Sequence, residues 1–427
     1  MGRRFRLSVL FTDVAGFGVA LLCASWFVFG SPWFWTVELE AGASLWPMID
    51  LLSVGAAIGL GASYASWQAT APRPLYIRAV AFVSFATVFT AVGLVLSRAY
   101  FSRPFILTFA LVWLGLSLLH RFIRRLRPWQ EAIVVVSGEK ALVEDLQDAP
   151  HANVVALLDP IEQSPGVPVS VGVTLAVDLR AVLSESMAQY VSSASIAGTR
   201  IRAFNSVYEE HTGRLPMVHL AEGWELSQPV SRSSYASLKR VLDVILVAVT
   251  LPMWMLVCAI VAVVVRLDSP GPVLYRQTRV GRDGKQFTLT KFRTMIVDAE
   301  VDGPRFAAED DPRITRVGRF LRKSRLDEFP QLWAVLRGQL SVIGPRPERP
   351  VFVDLYSAEI PFYQSRHLVR PGVTGWAQVN YGYADDEAEA VEKLTYDLFY
   401  IKHSSFWLDL QILGKSIWTV LTGFGAR

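Results

Sequence analysis

The sequence predicts a membrane protein of α+β class: an N-terminal four-helix transmembrane bundle, a degenerate Rossmann-like α/β middle domain, and a C-terminal domain with a re-entrant membrane hairpin and interfacial amphipathic helices. Three observations carry this. Residues of the hydrophobic set make up 52% of the 427, above the globular average, so part of the chain belongs in lipid. Four apolar stretches near the ~20 residues of a bilayer-spanning helix crowd the first 127 positions. After Pro128 the pattern changes to short apolar runs separated by turn residues, which is the rhythm of a soluble α/β domain.

The four stretches are residues 14–29, 45–67, 77–96 and 105–119. Arginines stand at positions 3, 4 and 6, at 73 and 78, and at 121, 124, 125 and 127, whereas the loop 31–44 has no basic residue. The positive-inside rule then places both ends of the bundle in the cytoplasm, against the minority vote of Arg98 and Arg103. With no small-residue cleavage site before the second stretch, the first reads as an uncleaved anchor rather than a signal peptide. Asp13 and Asp50 fall at or near span ends and are expected to be hydrated interfacial acids.

The formal charge of +4 comes from 42 basic and 38 acidic residues, too even a balance for a general nucleic-acid binder, so the position of each cation matters more than the sum. Cys23 and Cys258, the two cysteines, both sit in apolar runs. That excludes a disulfide framework and a cysteine metal site, and leaves oxygen ligands for any metal.

The middle domain is expected over 128–222. The strand signal at 132–137 is followed by Gly138 and a helical period at 141–146, and further apolar runs stand at 154–158 and 171–177. Only Gly138 stands where a dinucleotide fingerprint needs three glycines, so a structural or regulatory spacer is expected rather than a nucleotide site. A polar linker follows at 223–236, and then the C-terminal domain over 237–427.

That domain opens with an apolar run, 241–265, flanked on both sides by basic residues and interrupted by Pro252. A segment that enters the membrane, breaks at Pro252 and returns over about 238–266 satisfies both flanks, with Thr250 placed to serve the carbonyls freed by the proline. A kinked fifth span is the alternative. Downstream, Lys291 and Arg293 flank Phe292, and Arg313, Arg316, Arg319, Arg322 and Arg325 recur every third residue. Guanidinium groups so spaced suit capture of phosphate oxygens or of anionic lipid headgroups. Asp327 and Glu328 follow at once, and a helix is expected to begin near Phe329, which would put both acids at its positive end. Such a pair is either a helix cap or a carboxylate nucleophile with a companion that shares Mg²⁺ with a diphosphate. Arg346 stands on a proline-rich loop, stiff enough to present a guanidinium without reorganisation. A second rigid turn, 370–379, contains Gln378, and residues 406–421 place Trp407, Leu410, Leu413, Ile417, Trp418 and Leu421 along one helical face.

The ordered set Lys239-Arg240 with Asp243, Ser269-Pro-Gly-Pro272, Lys291-Phe-Arg-Thr-Met295, the segment 311–319, Leu326-Asp-Glu328, Gly344-Pro-Arg-Pro347 and the segment 370–378 resembles the bacterial sugar transferase family, the monotopic polyprenyl-phosphate phosphoglycosyl transferases. The preceding bundle and middle domain match its larger members. Residues 208–213 and 423–427 resemble the branch associated with exosortase-linked exopolysaccharide clusters. The resemblance implies attack by Asp327 on the β-phosphate of a UDP-sugar, release of UMP, and delivery of the sugar phosphate to polyprenyl (undecaprenyl) phosphate. In it Glu328 serves Mg²⁺ or the proton, Lys291, Arg293, Arg322 and Arg346 contact phosphate, and the hairpin is re-entrant; the family commonly breaks it about one turn further along, where this sequence has Met255-Leu256, so Thr250 and Pro252 are expected to supply the break here. The expected setting is the cytoplasmic face of the bacterial inner membrane, with lipids and a second copy of the chain as further partners and no nucleic acid. A glycosyltransferase releasing UDP, and a non-catalytic scaffold of a polysaccharide export system, stand as the competing readings.

Overall fold

A computed structural model describes residues 2–37, 39, 44–65, 76–126, 130–162, 172–220, 234–297, 299, 311–381 and 387–422. The expected linker up to residue 233, Arg73, Arg127 and the terminal segment 423–427 lie outside them. The chain divides into two compact units, Met1–Gly213 and Arg214–Arg427, and Leu215 belongs to the second. The reason is local: Leu215 is buried in the core of the second unit, and its N–H donates to the carbonyl of Thr395.

The first unit opens with four long helices: α1 Gly2–Phe29, α2 Trp46–Ala65, α3 Tyr76–Ser97 and α4 Arg103–Leu126. All four carry segments long and apolar enough to cross a membrane. Helix α1 packs on α4 and α2 on α3. Gly55 and Gly59, one turn apart, bring α2 against the backbone of Phe82 and Ala86, the close approach that small residues permit between helices in lipid. Asp13 departs from expectation. It is fully buried, and Arg121 meets it with both guanidinium nitrogens at 2.7 Å. Tyr64 donates to its Oδ2 at 2.7 Å, and the Trp113 indole to its backbone carbonyl at 2.9 Å. Helix α4 runs about two turns beyond residue 119, which brings Arg121 inside, so the acid is paired rather than hydrated. Asp50 is exposed.

The remainder of the unit is a four-stranded parallel sheet of order β2-β1-β3-β4, built from β1 Glu131–Val136, β2 Ala152–Leu158, β3 Thr174–Val177 and β4 Arg200–Ala203. Helices α5 Lys140–Gln147, α6 Glu185–Ile196 and α7 Phe204–Thr212 cover it. In such sheets ligands sit at the carboxyl ends of strands where the order reverses, here between β1 and β3. That crevice holds Ser137, whose hydroxyl donates to Asp178 at 3.1 Å and accepts from the Glu139 N–H. A carboxylate where a dinucleotide would place its diphosphate accords with the missing glycines.

The second unit begins with α8, Ser234–Asp268, one helix of 35 residues with Pro252 inside it, about 52 Å long at 1.5 Å per residue. The expected break at Pro252 is not seen: helical backbone continues through it. Proline removes the N–H that would reach Ala248, and neighbouring side-chain donors line the site. Thr250 Oγ1 donates to Leu246 O at 2.7 Å and Val247 O at 3.3 Å, and the Trp254 indole to Val247 O at 3.2 Å. Thr250 thus serves the carbonyls one and two residues before the one that proline frees.

One face of α8 packs on the rest of the unit along most of its length. Val247 and Trp254 join Phe287, Leu289, Val335 and Leu340, while Val261 and Val265 join Phe292 and Leu321. The other face exposes Val249, Met253, Leu256, Ile260 and Leu267, a composition that belongs in lipid. Arg240 donates to the carbonyls of Val335 and Leu336, and Arg266 to that of Gly271, so both ends of α8 are tied to the same body.

An antiparallel hairpin follows, β5 Leu274–Val280 with β6 Gln286–Phe292. Next come α9 Arg316–Lys323, a 3₁₀ segment Leu326–Gln331 and α10 Leu332–Leu336. Strand β7 Ser341–Ile343 pairs with β8 Gly372–Thr374, with α11 Pro350–Glu359 and a 3₁₀ segment Tyr363–Leu368 between them. Helices α12 Trp376–Asn380, α13 Glu387–His403 and α14 Phe406–Thr422 close the chain. On α14, Leu408 and Ile412 enter the core with Leu413 packed against it, while Ile417 and Trp418 stay exposed, so the face expected from the sequence is divided between core and surface.

Candidate active site

Three segments converge on Asp327 and Glu328. The first is the end of β6. Lys291 lies opposite Tyr275 in the hairpin register, with its ammonium 5.9 Å from the ring centroid. The second is the turn between α9 and the 3₁₀ segment, where Arg325 takes a left-handed conformation (φ 59°) and redirects the chain. The acids therefore lie within the first turn of a 3₁₀ helix, not ahead of an α-helix starting near Phe329. The third is the proline-rich loop with Arg346.

Glu328 is buried, and its Oε1 lies 3.2 Å from Arg346 Nη1 and 3.7 Å from Arg325 Nη1. Burial alone would raise its pKa, but Arg346, Arg325 and Lys291 outweigh it, and Glu328 is held below its ordinary value. Asp327 goes the other way. Its burial, followed by the repulsion of Glu328, pushes the carboxyl up to about 6 against the opposing pull of Lys291, Arg325 and Arg322. Helix-end stabilisation, expected from the sequence, does not prevail, because the first turn is 3₁₀ and the carboxylate is desolvated. Asp327 still carries its charge through most molecules at neutral pH. Its Oδ1 is buried without a hydrogen-bond partner among the described residues, an expensive arrangement unless something else occupies that oxygen. Lys291 responds in kind, as burial lowers its ammonium to about 8 despite the attraction of Asp327.

The other residues singled out from the sequence separate into two groups. Arg322 lies near enough for its charge to act on Asp327, and its Nε donates to Thr294 Oγ1 at 2.9 Å. Arg293 is directed elsewhere. Its Nη atoms donate to the carbonyls of Ser269 and Pro270 and to the Ser269 hydroxyl, at 2.8–2.9 Å. It bolts the loop after α8 to the end of β6 instead of facing the acids. A Cβ at Gly271 (φ 121°) would collide with Arg293 Nη1, so the loop needs glycine there for both conformation and space. Arg313 is taken by Asp311 at 2.5 Å. Gln378 Nε2 caps Val373 O at 3.3 Å.

Two further cations belong to this region: Arg325, which the sequence offers only as one of a series, and Arg279. The latter donates to Pro347 O at 3.0 Å and lies 3.4 Å from Glu348. The position of Arg325 directly before the acid pair was the available signal. Arg279, on a strand far upstream, carried none.

The family model described as bacterial sugar transferase matches residues 234–423, the span that contains Asp327, Glu328 and the residues placed around them. Against a UDP-glucose:undecaprenyl-phosphate glucose-1-phosphate transferase of Caulobacter vibrioides the chain is 41% identical over 198 residues, 45% of this chain and 73% of the relative. The chain belongs to the bacterial sugar transferase family. It is also 43% identical over 239 residues to a UDP-N-acetylgalactosamine-undecaprenyl-phosphate N-acetylgalactosaminephosphotransferase of Aeromonas hydrophila, 56% of each chain. With a UDP-glucose:undecaprenyl-phosphate glucose-1-phosphate transferase of Escherichia coli it shares 42% over 189 residues, 44% of this chain and 40% of that protein. This family member thus spans about half the length of those two relatives.

Proposed function

We propose that this chain moves a sugar 1-phosphate from a UDP-sugar to polyprenyl phosphate, undecaprenyl phosphate in a bacterium, through an aspartyl-phosphosugar intermediate. The observation that carries the proposal is the orphaned, buried Oδ1 of Asp327 amid Lys291, Arg322, Arg325 and Arg346. A desolvated carboxylate without a donor is a reactive one, and the surrounding cations match the oxygens of a diphosphate. Relatives with undecaprenyl-phosphate sugar phosphotransferase names, at 41–43% identity, support the same reaction class.

In the first displacement a carboxylate oxygen of Asp327 bonds to the β-phosphorus. The bond from that phosphorus to the bridging oxygen breaks, and UMP leaves with the bridging oxygen and its electron pair. Lys291, Arg322 and Arg346 orient the diphosphate and take up the charge that develops on it. In the second, an oxygen of polyprenyl phosphate bonds to the same phosphorus and the Asp327 carboxylate departs, giving polyprenyl diphosphosugar. No net proton is required. Asp327 and Glu328 fit Mg²⁺ as two adjacent carboxylates with one oxygen unpartnered. Since no group of three or more acidic, His or Cys ligands occurs among the described residues, the diphosphate and water would complete its shell. When bound, the ion supplies charge neutralisation on the diphosphate.

Both ends of α8 are tied to the same unit and its outward flank is apolar, which supports attachment of this unbroken helix to lipid from one side, the cytoplasmic face of the inner membrane. There the reaction would begin exopolysaccharide or other glycoconjugate assembly. The test is incubation of the full chain with a panel of UDP-sugars, undecaprenyl phosphate and Mg²⁺. UMP and a phosphosugar adduct lost in Asp327→Asn are expected. UDP as the sole nucleotide product, or full turnover by that variant, would overturn the proposal.

A further inference from the structure

Behind the loop that presents Arg346 lies a second set of buried charges that the proposed chemistry does not use. Arg366, 4% exposed, donates through Nη2 to Asp397 Oδ2 at 2.8 Å and to the backbone carbonyl of Arg346 at 2.9 Å, and through Nη1 to the Tyr363 hydroxyl at 2.6 Å. Asp397 is 1% exposed. Glu348 on the same loop binds Lys393 at 3.0 Å and Arg279 at 3.4 Å. These groups surround a cavity of about 20 Å³, enough for one water.

A buried guanidinium and carboxylate contribute little net stability against an apolar filling of the same shape, because desolvation offsets most of their attraction. Such a pair is therefore weak as a stabilising device. It does fix direction: a planar fork gripped at three points cannot rotate, and one of its points is the carbonyl of the residue whose side chain faces Glu328. The other carbonyls of the loop are gripped in the same way. Arg279 takes Pro347 O, and the N–H groups of Gly372 and Val280 take Pro345 O and Glu348 O. Of these contacts, only the one from Arg366 bears directly on residue 346.

We infer that Arg366, held by Asp397 and Tyr363, is a positioning residue that aims Arg346 at Glu328 and so sets the charge balance of the Asp327–Glu328 pair. The inference rests on the proposed role of that pair. A guanidinium displaced by about an ångström commonly costs up to 100-fold in rate, so Arg366→Lys should slow adduct formation by roughly 10–100-fold while Arg346→Lys slows it on its own account.

The deciding measurement is a double-mutant cycle on the rate of adduct formation in the full-length chain, with thermal unfolding of each variant in parallel. If Arg366 acts through Arg346, the double variant Arg366→Lys/Arg346→Lys is no slower than Arg346→Lys alone, since residues acting as a unit are non-additive. Losses that multiply in full, or an unchanged rate in Arg366→Lys, would refute the inference. Tyr363→Phe, which removes one oxygen and no charge, keeps the test open if Arg366→Lys fails to fold. A smaller loss, again absent on the Arg346→Lys background, is expected, and wild-type rate in this variant counts against the inference. A wild-type chain that forms no adduct would instead overthrow the functional reading, and the inference with it.

Discussion

Replacing Asp327 by asparagine should make the protein more stable at alkaline pH while destroying its activity. The carboxyl has an ordinary pKa of 3.8 and is pushed to about 6 in the fold, chiefly by burial and then by Glu328. A folded-state value raised above the unfolded one means that the fold prefers the proton. Below about 4 both states hold it and nothing is lost. Between about 4 and 6 the unfolded chain ionises first and stability falls, and above about 6 the full penalty stands. At 1.36 kcal/mol per pH unit the interval corresponds to on the order of 3 kcal/mol. Asparagine keeps the shape without the charge, but it leaves Lys291 without a counter-charge, which trims the gain. For a unit of about 200 residues, each kcal/mol moves the melting temperature by roughly 2–4 °C. Thermal unfolding of the full chain in detergent should therefore show Asp327→Asn melting several degrees above wild type at pH 8, with the difference gone by pH 4. A variant that melts lower at pH 8, or an advantage that persists unchanged at pH 4, would refute the claim that this carboxylate is held ionised at a cost.

The same two groups predict a bell-shaped pH profile for UMP release at low UDP-sugar concentration. The acid limb falls near 6, where Asp327 takes a proton, and the alkaline limb near 8, where Lys291 loses one; Lys291→Arg should remove the alkaline limb. Gly271→Ala should lower stability by roughly 1–3 kcal/mol, since the residue occupies a φ of 121° and its Cβ would strike Arg293, and Arg293→Lys should move unfolding in the same direction. In the bundle, Asp13→Asn should cost roughly 3–5 kcal/mol by leaving Arg121 buried without its carboxylate, read as loss of heat resistance in detergent. The paired change Asp13→Leu/Arg121→Met should restore most of it.

Much of the fold follows from elementary patterns in the sequence, because apolar stretches of membrane length admit few other structures. The four expected stretches lie within the four observed helices, apart from residue 45, just before α2, and residues 66–67, which lie outside the described residues. What periodicity could not supply was depth. Arg121 was grouped with the basic flank because it follows an apolar run, whereas α4 continues past it and pairs it with a residue 108 positions earlier. The same limit governs the site. Asp327, Glu328 and Arg346 are legible because turn chemistry and proline stiffness are local properties. That Arg293 faces away from the acids while Lys291 faces toward them depends on where the loop after α8 lands, and no local rule supplies that. Pro252 is a third case. Its preference for breaking a helix was legible, but packing along one face of α8 kept the helix continuous.

That packing has a consequence for encounter rates. Because α8 lays one flank along the hairpin and α9 and turns the other outward as bare hydrocarbon, the lipid-borne acceptor of the proposed reaction would reach the neighbourhood of Asp327 by lateral diffusion in a sheet rather than by search through a volume. Confinement to a layer a few nanometres deep raises its local concentration far above its average over the cell. A site built against such a helix can therefore work with weak intrinsic affinity for the lipid-borne partner and still remain occupied.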